Sequence, residues 1–278
     1  MDMQTIVVTG ATSGIGKALT IRLVEDGHAV YAFGRDEAKL NDLESALKKA
    51  KGTLIPINAD FRSLTAVEKA LKRLEKKLKS GLDVLVNNAA AVPAKKDFTE
   101  DGFETQYQVN HLAHVHVTNR LMPLLARRQG KVITTGSDAH KRARFNPKDI
   151  HALKRYHPFR SYCRTKLYNN MMTAYFRREV DNVKFYVVHP GRVKTDIGTK
   201  DTNKMYAFFW RWFTRKGFKP EETVPTYMML IDTPSPKPGY YFQEALHEES
   251  ATAKNIDYQN VLMRHAFREL KSLFLDES

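Results

Sequence analysis

The chain has 278 residues, 42% of them apolar, enough to bury the core of one large α/β domain. Its single cysteine, Cys163, excludes an internal disulfide, and no uncharged apolar run approaches the roughly 20 residues of a membrane-spanning helix. The formal charge of +14 suits an anionic ligand, an acidic partner or an anionic membrane surface, whereas zinc-finger spacing, aromatic RNA-binding signatures and basic arms are missing, which argues against nucleic acid.

The opening segment "MQTIVVTG" lacks the basic, apolar and cleavage regions of a signal peptide, so a soluble, cytoplasmic protein of a reducing compartment is expected. Short β-branched runs then follow in order: "QTIVVTG" (4–10), "HAVYAFG" (28–34), "TLIPINA" (53–59), "LDVLVNN" (82–88), "KVITTG" (131–136) and "VKFYVVHPG" (183–191). Between them lie stretches such as "GKALTIRLVEDG" with apolar residues at three- and four-residue steps. The stretch "VEKALKRLEKKLKS" (67–80) mixes both charges at helical spacing and reads as a helix with a solvated face. This alternation predicts a doubly wound parallel sheet of Rossmann type, with helices on both faces, in a single domain over 1–278. A helical tail is expected around 255–275. In such sheets ligands bind beyond the carboxyl ends of the strands, so the residues just after each strand carry the functional reading.

After the first strand comes "TGATSGIG", with Gly10, Gly14 and Gly16 opening a helix. Glycines let backbone approach a phosphate closely, and a helix N-terminus offers free N–H groups and partial positive charge. A glycine triplet by itself is equally compatible with a structural turn. The second strand ends in "YAFGRDEA", where an acidic residue would favour the 2′-hydroxyl of NAD and an arginine the 2′-phosphate of NADP. Gly34 fills the acidic slot and Arg35 follows, with Ser13 able to add a hydroxyl, so NADP(H) is favoured over NAD(H). The competing reading makes Arg35 a solvent-facing cation neutralised by Asp36.

Further along, "RSYCRTKLYNN" (160–170) sets Tyr162 four positions before Lys166, which places both on one face of a helix. That spacing also suits an ordinary surface pair. A phenol of pKa about 10 needs roughly 4 kcal/mol of selective phenolate stabilisation to act as a base near neutrality, and a neighbouring ammonium in a dry cleft supplies part of it. Ser137 in "TTGS" and Asn110 in "VNHLAH" fall after consecutive strands, where they read either as site residues or as a turn cap and a helix polar residue. His111, His114 and His116 do not share one helix face, and no metal is assigned.

The order of these motifs resembles the short-chain dehydrogenase/reductase superfamily over roughly residues 4–196: the glycine pattern, Asp60 in "NADF", "NNAA" (87–90), Asn110, Ser137, Tyr162 with Lys166, and "HPGRVKT" with Pro190, Gly191 and Thr195. Ala90 stands where the pattern has glycine. "VNHLAH", the long Ser137–Tyr162 segment and "GYYF" (239–242) resemble the retinol-dehydrogenase-like branch, whose members often carry a membrane anchor. The resemblance implies an NADP(H)-dependent oxidoreductase of carbonyl or alcohol groups, with Tyr162 as proton donor and acceptor. Lys166 would lower the pKa of Tyr162 and bind the nicotinamide ribose. Ser137 would hold the substrate oxygen, and Asn110 would support Lys166 through ordered water. It implies cofactor contacts at Gly10, Ser13, Gly14, Ile15, Gly16, Arg35, Asp60, Asn87, Tyr162, Lys166, Val193 and Thr195. An alternative function is an NADP(H)-sensing binding protein without turnover; the complete Asn, Ser, Tyr and Lys set argues against it.

Two long connections complete the reading. The 138–159 segment is basic, and 197–219 contains the aromatic "MYAFFWRWFTRKGFK". The latter is expected to be a variable substrate lid, a peripheral membrane contact through 205–219, or a core or subunit contact. An apolar or aromatic carbonyl or alcohol of moderate size is the expected substrate, and a homo-oligomer the expected state.

Overall fold

The computed structural model describes residues 2–151, 153, 156–194 and 217–275. Thr195, nearly all of the 197–219 segment, and Lys154 and Arg155 of the basic insertion lie outside the described residues. The six sequence-predicted strands form as β1 (Thr5–Thr9), β2 (Ala29–Gly34), β3 (Thr53–Asn58), β4 (Val84–Asn87), β5 (Lys131–Thr135) and β6 (Lys184–Val188). Two more extend the sheet: β7 (Gly239–Phe242) and β8 (Ala245–His247). The order is β3-β2-β1-β4-β5-β6-β7-β8, and every neighbouring pair is parallel except β7 with β8. That last pair turns through Gln243 and Glu244, both at positive φ (47° and 63°), the backbone of a tight hairpin whose twist suits antiparallel strands. Proline in "TLIPIN" is accommodated because β3 is an edge strand, where a missing N–H costs least.

Helices cover both faces, which is why the inner strands are apolar at consecutive positions rather than alternating ones. Ile6 and Val8 of β1 point to the layer formed by α1 (Gly14–Glu25), α2 (Glu37–Ala46) and α7 (Val224–Asp232); Val7 points to the opposite layer. That opposite layer holds α3 (Leu64–Lys77), the single turn α4 (Thr105–Tyr107), α5 (Ala113–Arg127), α6 (Pro158–Glu179), the short α8 (Ala251–Lys254) and α9 (Ile256–Leu275). In α3 the residues Leu64, Val67, Ala70, Leu71 and Leu74 are buried at helical spacing, while its lysines face outward. Each such fully buried leucine contributes about 1.5–3 kcal/mol. The expected C-terminal tail is a core element: Leu262, Met263 and Ala266 are fully buried against α6. Among the described residues no helix is long and apolar enough to cross a membrane.

Strand order reverses direction between β1 and β4, and the chain leaves the carboxyl ends of these two strands in opposite directions. That divergence opens a cleft.

Candidate active site

The cleft encloses about 890 Å³ and runs along the carboxyl edge of the sheet, from the β1–α1 and β2–α2 turns to the loops after β4, β5 and β6. At one end Gly10, Ser13, Gly14 and Ile15 line it. Gly10 and Gly14 have φ of +69° and +53°, a conformation that an L side chain strains. A Cβ on Gly10 would sit 2.9 Å from Ala89 Cα, and one on Gly16 would sit 2.2 Å from the Gly10 carbonyl oxygen. Gly16 therefore does not line the cleft; it lets α1 pack against the turn and fixes the shape from behind. Ser13 occupies the cap position of α1 without a side-chain capping bond, so the first-turn amides have no hydroxyl competing for them. A cradle of this kind fits the pyrophosphate of a dinucleotide.

Beyond the cradle, Arg35 and Asp60 line the cleft as expected. Asp60 accepts a hydrogen bond from the Arg62 amide at 3.0 Å, which holds the loop after β3. Asp36 caps α2 by accepting from the Lys39 amide. Asn87 departs from the expectation. It is the last residue of β4, fully buried, and donates to Thr118 Oγ1 at 2.8 Å on the helix side of the sheet. Successive strand residues point to opposite faces, so the neighbouring Asn88 lines the cleft instead. Asn88 donates from Nδ2 to the Thr9 carbonyl at 3.0 Å and from its amide to Thr9 Oγ1 at 2.8 Å, tying β4 to β1 beneath the cradle.

The reacting end gathers Ser137, Tyr162 and Lys166 around one volume. Pro158 in the first turn starts α6 without costing a hydrogen bond, and one turn later Tyr162 reaches the cleft. Lys166 Nζ lies 5.7 Å from the Tyr162 ring centroid and donates to the Thr135 carbonyl at 2.7 Å, at the end of β5. Lys166 is 2% exposed, and this burial lowers its pKa to about 8. Burial raises the Tyr162 phenol to about 12, opposed by a hydrogen bond with Ser137. The chain's own groups thus keep the phenol protonated, in contrast to the lowered pKa expected from Lys166. Ser137 combines both sequence readings, since its Oγ also caps the turn after β5 by accepting from the Ala139 amide at 3.2 Å.

Asn110 is fully buried within a π-turn (Gln108–Leu112) that leads into α5. Its Oδ1 accepts from the Ala91 amide at 2.7 Å, and its Nδ2 donates to the Ala91 carbonyl and to Thr165 Oγ1. The side chain is committed to fixing the loop after β4 to α6, one residue from Lys166. Val193 lines the opposite wall, where it bridges to Phe218. His111 and His114 are fully buried and lowered to about 4 and about 3 by that burial; His116 pairs with Glu68 at 2.9 Å.

Sequence reasoning missed Thr135, which anchors Lys166, and the cleft-lining residues Val92, Pro93 and Phe159. His189 combines a place in the cleft with a structural role. It lines the cleft, and its Nδ1 accepts from the amides of Asp138 and Gly191, fixing the neutral tautomer with the proton on Nε2.

A glycine cradle, a tyrosine, lysine and serine centre, and a cleft at the switch point of a parallel sheet together define an oxidoreductase of the dehydrogenase/reductase class. Residues 4–206 match the short chain dehydrogenase family, and the chain belongs to it. Mouse (Mus musculus) retinol dehydrogenase 14 is 30% identical over 272 residues, covering 90% of this chain and 80% of that protein. Mouse retinol dehydrogenase 13 is 31% identical, covering 91% of this chain and 79% of that protein. An uncharacterised protein from Mycobacterium paratuberculosis has a solved structure that superposes with a TM-score of 0.78 at 25% identity, over 96% of this chain and 93% of that one.

Proposed function

We propose that the chain is an NADP(H)-dependent reductase of apolar carbonyl compounds, with Tyr162 as the general acid and, in the reverse direction, the general base. The observation that carries this reading is the meeting of Ser137, Tyr162 and Lys166 in the same cleft that the glycine cradle and Arg35 line. When bound, the nicotinamide supplies the hydride for reduction or accepts it in oxidation. Ser137 Oγ–H holds the substrate oxygen, and the Tyr162 hydroxyl donates its proton as negative charge develops there. The Lys166 ammonium, held by the Thr135 carbonyl, steadies the phenolate that remains. At pH 7 a phenol at about 12 is protonated and an amine at about 8 is charged, the pair of states that carbonyl reduction needs. Oxidation starts from the phenolate, which costs about 1.4 kcal/mol to form for each unit by which the phenol's pKa exceeds the working pH.

NADP(H) is favoured because Gly34 places no carboxylate at this position, where even a Cβ would press on Thr12 Cγ2 at 2.7 Å, and because Arg35 follows it and lines the cleft. An apolar substrate is favoured by Val92, Pro93 and Phe159 in the cleft lining and by two relatives named for retinol, an apolar alcohol. The test is NADPH consumption over a panel of aldehydes, ketones, quinones and retinoids, repeated with NADH. On the best substrate, Tyr162→Phe is expected to lower kcat roughly 10²- to 10⁴-fold while NADPH still binds. Substantial retained turnover would overturn the role of Tyr162, and tight NADPH binding with no turnover on any substrate would favour the sensor.

A further inference from the structure

The middle of the 138–159 insertion turns back against α9. Phe145 packs on Tyr258 at 5.1 Å, and Ile150 is buried in the core. This brings His151 to a pair already matched on the helix, His265 and Glu269, which stand four residues apart and so share a face. His151 Nε2 lies 2.5 Å from Glu269 Oε1, and His265 Nδ1 lies 3.2 Å from Glu269 Oε2. The three donor atoms all fall within 4.8 Å of one another.

We propose that His151, His265 and Glu269 form a binding site for a divalent transition metal, zinc by the chemistry of its ligands, that staples the insertion to the C-terminal helix. Two imidazole nitrogens and one carboxylate are a ligand set that zinc accepts, with water in the fourth position. Zinc bonds of about 2.0–2.2 Å space tetrahedral donors roughly 3.4 Å apart, so the tightest contact must open by about 1 Å and the widest must close by up to about 1.4 Å. Three further features fit coordination. His265 Nδ1 is shielded from solvent and already stands 3.2 Å from Glu269 Oε2, close to the spacing of two ligands on one ion. The Tyr107 hydroxyl donates to Glu269 Oε2 at 2.6 Å and orients the carboxylate, the kind of outer support that metal ligands need. The His265 side chain is 39% exposed, which gives an ion a path from solvent.

The metal ties together the segment that connects Ser137 to Tyr162, and so steadies the loop that sends Arg142 and Phe159 to the cleft. The proposal does not rest on the oxidoreductase reading, and it is tested without turnover. The untagged full-length chain, stripped with a chelator, is titrated with Zn²⁺ by calorimetry and with Co²⁺ by visible absorption. One equivalent per chain is expected, with a rise in Tm on adding Zn²⁺. His265→Gln and, separately, His151→Gln are each expected to weaken binding at least 10-fold and to abolish the Tm rise. Measuring both variants keeps the test intact should one of them misfold, as read from circular dichroism in the metal-free state. No saturable binding by the wild-type chain, or folded variants that bind as tightly as wild type, would overturn the site.

Discussion

The two ends of the cleft are built from opposite materials. The phosphate end is backbone: its shape depends on side chains that are absent at Gly10 and Gly16, and its charge comes from the start of α1 rather than from an ionised group. The reacting end depends on side chains, with Tyr162 and Lys166 taken out of water on one helix and held by the Thr135 carbonyl at the end of β5 and by Ser137 in the following turn. The difference shows how one fold separates two tasks. Binding a ligand common to many enzymes needs an unobstructed surface, whereas chemistry needs groups whose proton affinities are shifted, and shifting them requires burial.

Breaking each end should therefore fail differently. Gly16→Ala forces a methyl into the Gly10 carbonyl and the Asn88 amide, and NADPH affinity is expected to fall about 100-fold, some 2–3 kcal/mol, in a fluorescence titration. Wild-type affinity in that variant would show that the cradle yields. Arg35→Ala keeps the cradle and removes one charged contact. Roughly 20-fold weaker NADPH binding is expected, with NADH unchanged, and an equal loss for both cofactors would remove Arg35 from phosphate recognition. The smallest effect belongs to pH. Because burial lowers Lys166 to about 8, its charge is present below that pH and lost above it, so kcat/KM for NADPH should halve near pH 8 and fall about tenfold by pH 9. A profile flat to pH 10 would contradict the shifted lysine, and Lys166→Arg, which stays charged, should remove the alkaline fall in whatever activity it keeps.

The sequence disclosed strands β1 to β6 because a sheet covered on both faces writes itself as short runs rich in apolar residues. It did not disclose β8, whose three exposed residues carry no such mark and whose pairing depends on a turn conformation at Gln243 and Glu244. Ser137, Tyr162 and Lys166 were legible through their order after successive strands. The choice between Asn87 and Asn88 was not, because two identical residues at a strand end differ only in which face each one meets. Thr135 was silent for another reason: it holds Lys166 through its backbone carbonyl, which every residue has. His151 and Glu269 stand 118 positions apart, so only the folded insertion could bring them together.

The two borders of the sheet carry a last consequence. One ends in a strand that carries Pro56, a residue with no N–H to offer, the other in a three-residue strand that folds back on its neighbour. Neither offers a long, regular row of unpaired amides, the template on which exposed strands recruit other chains into fibrils. An eight-stranded sheet with a strongly apolar interior is in this way given a definite width.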